Sequence, residues 1–451
     1  MMKKSKPQLM KGRVALTYAE SLQYLNELAK FGIKPGLERI LSLLRRLGNP
    51  QNKYKTIHIT GTNGKGSVTA MLSSILSESG CSTGAFTSPH LFRYTERMTI
   101  DGEEISEDEF AAAANSVRAS VEAMLEENEE CPTQFEFLTA MAFYYFAKKN
   151  VDYAVIEVGL GGLLDSTNVI VPEVAAITNV TLEHADKCGG TLEGIARHKA
   201  GIIKAGVPVV TGAEGAAVDI IAKRADELDS RLYLNNREFK VQNSAGTEAD
   251  DGQTLLFSDM TGCRIAYHLK MIAEYQMKNS AVAIMTAKLI SGNDGRVTDL
   301  SIQKGLEKSF WPGRFEIFSI GNDKIVIDGA HNPAGIAALR KSLDITFPRA
   351  KRLFLLGILR DKAVSSMIKI LLRPEDRVVV TSPDSDRAAT PEEIVERIHD
   401  SEVIAVSGDR KKALDIALNE QGSGELLVIT GSLYLIGYIR QLLIEKLGTN
   451  R

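Results

Sequence analysis

The segment from Tyr54 to Leu76, YKTIHITGTNGKGSVTAMLSSIL, constrains the fold more than any other part of the chain. Tyr54, Thr56, His58 and Thr60 alternate with Ile57 and Ile59, which predicts a short strand ending at Gly61. Val68, Met71, Leu72 and Ile75 then recur at helical spacing, so a helix opens just after Gly64. A glycine-rich turn between the two aims backbone N–H groups at one point, where the helix dipole adds positive potential. Lys65 contributes a full charge there, and Ser67 a hydroxyl able to ligate Mg²⁺. Gly64, Lys65, Gly66 and Ser67 therefore read as a polyphosphate cradle. It departs from a strict Walker A loop, because Ile59 replaces the first glycine and Gly66 separates the lysine from the hydroxyl. The plain structural alternative is a glycine turn that merely opens an α/β helix.

The rest of the chain supports an α/β architecture. Two amphipathic helices are predicted near 18–29 and 36–47, and helices near 107–127 and 135–149 follow the cradle. Buried-type strands DYAVIEV (152–158) and EVAAITN (173–179), a helix at 192–204 and a strand at 208–211 complete an alternation that implies a mainly parallel sheet. Residues 231–268 break it with the strand-like runs RLYL, REFKVQ, QTLLFS and CRIAYHL, read as a small antiparallel annex. After WPGR (311–314) a second β/α series begins, with strands at 324–327, 352–356, 377–381, 403–405 and 426–430. The expected organisation is an ATP-binding domain over 1–310, with a P-loop-type parallel sheet plus the annex, and a Rossmann-like α/β domain over 311–451.

Composition narrows the partners. A net charge of −3 gives no global attraction to nucleic acid or to anionic membranes. No stretch approaches the roughly 20 apolar residues a membrane span needs. Cys81, Cys131, Cys188 and Cys263 form no CxxC pair, so neither a disulfide framework nor a zinc site is indicated. The basic start MMKKSKPQLMKGR has no apolar core behind it, and the reading is a cytoplasmic protein.

Ligands of doubly wound sheets lie beyond the carboxyl ends of the strands. Glu157 ends the apolar run DYAVIEV, where a charge without a cation would be costly. His184 follows the strand AAITN, and Lys199 lies in HKAGIIK. With the cradle they outline a Mg²⁺-ATP site, since Mg²⁺ takes a few oxygen ligands plus phosphates. The loop TSPHLFRYTER (87–97) offers Ser88 and two arginines to an anion. Later, VIDGAHNP puts Asp328 and His331 at a strand-to-helix turn, where Asn332 and Pro333 already suffice as a helix start.

The strings ITGTNGKGSV, TSPHL, EVGLGG with LDSTN, KAGIIK, PGRFE, DGAHNP and ITGSLYL occur in this order. From about residue 16 onward the chain resembles the folylpolyglutamate synthase and dihydrofolate synthase branch of the Mur ligase superfamily. The resemblance implies that ATP converts a carboxylate to an acyl phosphate, which the amine of L-glutamate attacks to give an amide, ADP and phosphate. It implies that Gly64, Lys65, Gly66 and Ser67 hold phosphates, and that Ser88, Glu157 and His184 bind Mg²⁺. Lys199 would be carbamylated and support a second Mg²⁺. Asn279, Arg314 and Asp328 would complete the nucleotide site, and His331 and Ser432 would meet the incoming glutamate. Dihydropteroate or folate contacts would come from Lys34, Pro35 and Gly36, from Thr133, Gln134, Phe135 and Glu136, and from Leu164, Asp165 and Ser166. Lys65, Lys199 and His331 would carry the chemistry, in a monomer acting on both pteridine substrates.

Leu163, Glu183, Cys188, the pair Arg197–His198, and Ala363 depart from the common family pattern, without removing a predicted ligand. Two rival readings remain at this level. One is a muramyl-type ligase of peptidoglycan precursors, which the TSPHL loop disfavours. The other is a nucleotide-binding protein that has lost catalysis, which the retention of Lys65, Glu157, His184, Lys199 and His331 disfavours.

Overall fold

The computed structural model describes residues 15–32, 34–183, 189–248 and 252–447. The chain divides into two compact units, one of residues 1–234 with 283–305 and the other of residues 235–282 with 306–451. The 235–282 segment, assigned to the first domain on sequence, thus groups with the C-terminal residues.

The first unit is built on an eight-stranded sheet ordered Glu103–Glu104, Met98–Ile100, Thr83–Phe86, Tyr153–Glu157, Lys55–Thr60, Val174–Ile177, Val209–Thr211 and Leu232–Leu234. From Thr83–Phe86 onward every pairing is parallel, and the first two strands form an antiparallel edge. The central strand Lys55–Thr60 is buried beyond its first residue, as expected where helices cover both faces. On one side Phe137, Met141 and Phe143 of the helix Gln134–Lys149 pack with Ile156 and Phe86. On another, Ile195 and Ile203 pack with Ile177 and Val209.

The run RLYL joins this parallel sheet rather than the annex, since Val209 pairs with Leu232 and Thr211 with Leu234. A three-residue apolar run carries no signal of which sheet will accept it. The annex is therefore three antiparallel strands, Phe239–Glu248, Gly252–Asp259 and Arg264–Leu269.

The main sheet of the second unit runs Glu316–Ile320, Asp323–Ile327, Leu426–Thr430, Arg352–Leu356, Arg377–Val380 and Glu402–Val406. All pairings are parallel except the opening hairpin of Glu316–Ile320 with Asp323–Ile327. Among the described residues no helix is long and apolar enough to cross a membrane.

Candidate active site

Four neighbouring parallel strands of the first unit end on the same side, so the segments after Phe86, Glu157, Thr60 and Ile177 converge. The glycine loop fits against the segment after Ile177. Thr178 Oγ1 and Asn179 Nδ2 both donate to the Asn63 carbonyl, at 2.6 and 2.9 Å. Asn63 N–H donates back to Asn179 Oδ1 at 3.0 Å, and Thr62 exchanges hydrogen bonds with Thr181. Gly64 sits at φ +85° as the residue before the helix Lys65–Glu78, a conformation that favours glycine. Lys65 Nζ lies back along the loop, donating to the carbonyls of Gly61 and Thr62. Ser67, in the first helical turn, is buried.

Glu157 is 4% exposed, and its Oε2 accepts from the Ser88 backbone N–H at 3.1 Å. That bond brings the TSPHL segment to the strand end predicted to hold metal. The loop behind it is held by Glu96, whose carboxylate accepts from the N–H groups of Leu91, Phe92 and Arg93. His90 Nδ1 accepts from Arg97 Nε at 2.9 Å. Burial, then the Arg97 charge, pushes its pKa down to about 3, so this imidazole is neutral at physiological pH. Lys199 is 5% exposed in the last turn of the helix Leu192–Ala200. His184 and Cys188 lie outside the described residues. The donor set of Ser67, Ser88 and Glu157, hydroxyls and one carboxylate, suits a hard cation that keeps most of its ligands as phosphate and water.

The expected pteridine contacts of this unit are tied together by residues the sequence reading did not single out. Thr133 and Glu136 form a reciprocal cap on the helix Gln134–Lys149. Glu136 also pairs with Arg39, whose guanidinium donates to the Lys34 carbonyl at 2.6 Å. Arg39 thereby fastens the Lys34–Gly36 turn to the helix start. Gln134 donates to the Leu25 carbonyl and Tyr94 hydroxyl, and Phe135 stacks on Phe86 and lies over Gly159. Leu164 is exposed, whereas Asp165 and Ser166 are buried. Asp165 accepts from Leu160 N–H, Thr167 N–H and Thr167 Oγ1, and burial raises its pKa against those bonds. Ser166 meets Thr139 at 2.9 Å. The Thr167 hydroxyl also meets His58 Nε2 at 2.9 Å. His58 is fully buried, which pushes its pKa down to about 3.

In the second unit Asp328, 2% exposed at the end of its strand, accepts from the Tyr275 hydroxyl at 2.5 Å, Phe315 N–H at 2.9 Å and Ala330 N–H at 2.8 Å. Burial raises its pKa, and the Arg314 charge opposes the rise. Phe315 occupies φ +51°, a strained conformation for a bulky residue, held by that bond to Asp328. Gly329 leaves room for Arg314, whose Nη1 would lie 2.0 Å from any added Cβ. His331 Nδ1 meets the Gly329 carbonyl at 2.8 Å, so that nitrogen carries the proton. Asn332 caps the helix Pro333–Thr346, as the sequence suggested. Asn279 donates to Gln276 Oε1, and buried Ser432 accepts from Tyr434 N–H. Asp328→Ala leaves buried donors unmet and frees strained Phe315, while it relieves a desolvated carboxylate. The expected net is a loss of about 2 kcal/mol, read as a lower urea midpoint, with Asp328→Asn milder.

The chain matches the Mur ligase middle domain over residues 59–287 and the Mur ligase glutamate ligase domain over residues 313–433. It is 37% identical over 434 residues to the folylpolyglutamate synthase of Lacticaseibacillus casei, covering 95% of this chain and 99% of that protein. The chain belongs to the folylpolyglutamate/dihydrofolate synthase family of Mur ligases. It is also 34% identical over 427 residues to the dihydrofolate synthase/folylpolyglutamate synthase of Bacillus subtilis, covering 94% of this chain and 98% of that protein. An Escherichia coli FolC structure in complex with DHPP and ADP superposes with a TM-score of 0.87 at 28% identity, covering 97% of this chain and 100% of that one. As a member of this family the protein is an ATP-dependent, amide-forming ligase. The rival of a decayed nucleotide-binding scaffold has no support in that company.

Proposed function

We propose that the protein adds L-glutamate to dihydropteroate and to reduced folates, using ATP and Mg²⁺, as a cytoplasmic monomer. The observation that carries this reading is the glycine loop clamped by Thr178 and Asn179 beside the Glu157–Ser88 strand ends. Relatives bearing both enzyme names, such as that of Bacillus subtilis, favour the dual substrate range.

In this reading the loop N–H groups, Lys65 and Ser67 orient the triphosphate. Ser67, Ser88 and Glu157 would hold Mg²⁺ together with His184, and the ion supplies charge neutralisation at the transferred phosphoryl group. The substrate carboxylate attacks the γ-phosphorus and ADP leaves. The glutamate amine then attacks the acyl phosphate carbon, phosphate departs, and the amine loses a proton. No protein nucleophile is needed; positioning dominates. Asn279, Arg314 and Asp328 contribute nucleotide contacts, and His331 and Ser432 glutamate contacts. Lys34–Gly36, Thr133–Glu136 and Leu164–Ser166 meet the pteridine substrate. The neutral Lys199 amine adds CO₂ and releases a proton, giving a carbamate that would serve a second Mg²⁺.

Phosphate release in the presence of ATP, Mg²⁺ and glutamate is expected to require a pteridine acid, and both dihydropteroate and tetrahydrofolate should support it. Release that ignores both compounds would defeat the proposal. Stimulation by only one would restrict it to a single activity.

A further inference from the structure

The turn after Glu157 is fastened to the helix that carries Lys199. Gly162 lies so close that an added Cβ would stand 2.7 Å from the His198 carbonyl and 3.3 Å from Lys199 Cα. Leu163 N–H donates to that same His198 carbonyl at 2.8 Å. A Cβ on Gly201 would stand 2.5 Å from Leu163 Cβ, so two glycines permit the approach.

Asn168 closes it. The side chain is 4% exposed and sits at a kink in the short helix Ser166–Val169. Its Nδ2 donates to the Leu163 carbonyl and to the Gly201 carbonyl, each at 3.0 Å, so both amide hydrogens are spent on one bridge. The Asn168 backbone carbonyl accepts from Lys204 Nζ at 3.0 Å. The bridged carbonyls flank the two expected functional elements: Leu163 directly precedes Leu164–Ser166, and Gly201 lies two residues after Lys199. The same turn reaches the phosphate-loop strand, since the Gly161 carbonyl accepts from Thr60 Oγ1 at 2.7 Å.

We propose that Asn168 is a positioning residue that sets Lys199 relative to the Leu164–Ser166 stretch, so that the acyl substrate and Lys199 are presented as one rigid piece. This rests on the function proposed above for both elements. Removing two buried donors at once leaves two carbonyls unmatched and lets turn and helix separate, and misplacement on this scale is felt in turnover.

The test uses Asn168→Ala and the isosteric Asn168→Asp in the full-length protein. In Asn168→Ala, kcat is expected to fall about tenfold and the KM for the pteridine substrate to rise about fivefold, with ATP affinity within about twofold of wild type. Asn168→Asp, which turns a carboxylate toward two carbonyl oxygens, should fall further than alanine. Kinetic constants unchanged in a folded variant would overturn the proposal. So would ATP affinity falling in step with kcat, the mark of a general structural role. Amide deuterium exchange on ligand-free protein tests the link without catalysis. Uptake should rise together in segments 160–168 and 196–204 of Asn168→Ala and stay constant in 61–67, and no rise in the first two would overturn it. If the alanine variant is unfolded by circular dichroism, Asn168→Ser, which keeps one donor, carries both readouts. A wild-type enzyme whose phosphate release ignores pteridines defeats the proposed function, while the exchange result still decides the bridge.

Discussion

Lys199→Ala is expected to lower turnover by about three orders of magnitude, and millimolar acetate or formate to return part of it. Lys199 is almost fully buried in the last turn of its helix. The helix dipole favours a cation there, and burial opposes one. A carbamate exchanges the ammonium for a carboxylate-like group, which suits the second hard cation proposed for this site. Truncation to alanine leaves a space that a short carboxylate can enter, so recovery should saturate with its concentration. Lys199→Arg separates the two roles. It keeps the charge but cannot accept CO₂, so it should stay as inactive as alanine. Full activity in the arginine variant, or no recovery of the alanine variant by carboxylates, would remove the carbamate from the proposal.

What sequence could reveal followed from the range of each interaction. The strand Lys55–Thr60 and the helix after Gly64 were legible, because alternation and glycine placement are local signals. Glu157 stood out as a charge ending an apolar run, and its burial agrees with that reasoning. The bonds that shape the site were not legible. Asn63 meets Asn179, His58 meets Thr167, Tyr275 meets Asp328, and Arg39 joins Lys34 to Glu136. Each joins residues that no local pattern in the sequence pairs, and only the fold brings them together. Asn168 and Thr167 were visible only as the end of LDSTN, a string that matched a family without saying what its side chains do. The strand Glu316–Ile320 is not legible in the sequence because it pairs antiparallel as a hairpin with Asp323–Ile327, outside the β/α alternation. Leu232–Leu234 is legible as a strand, but its pairing with Val209–Thr211 is not, since strand propensity does not encode a partner.

The glycine that ends the central strand offers the other large effect. Gly61→Ala is expected to reduce turnover by about 100-fold or more, with weaker ATP binding and a smaller loss of stability. An added Cβ would stand 1.8 Å from Thr178 Oγ1, 3.0 Å from Thr178 Cβ and 3.3 Å from the Asn179 nitrogen. Thr178 must then rotate, and its 2.6 Å bond to the Asn63 carbonyl breaks. The Asn179 clamp would be pushed away with it, although the two strands stay joined by the bond from Thr178 N–H to the Thr60 carbonyl. The damage should therefore fall on the glycine loop proposed to hold phosphate, and much less on the sheet. A double-mutant cycle decides this. Thr178→Ala alone should be mild, because Asn179 still holds Asn63. Combined with Gly61→Ala it should recover part of the lost activity by removing the hydroxyl that clashes. Recovery will be incomplete, since the Asn179 nitrogen stays within 3.3 Å of the new methyl. Strictly additive losses would mean that Gly61 matters for its backbone angle of +157° and not for the space it leaves to Thr178.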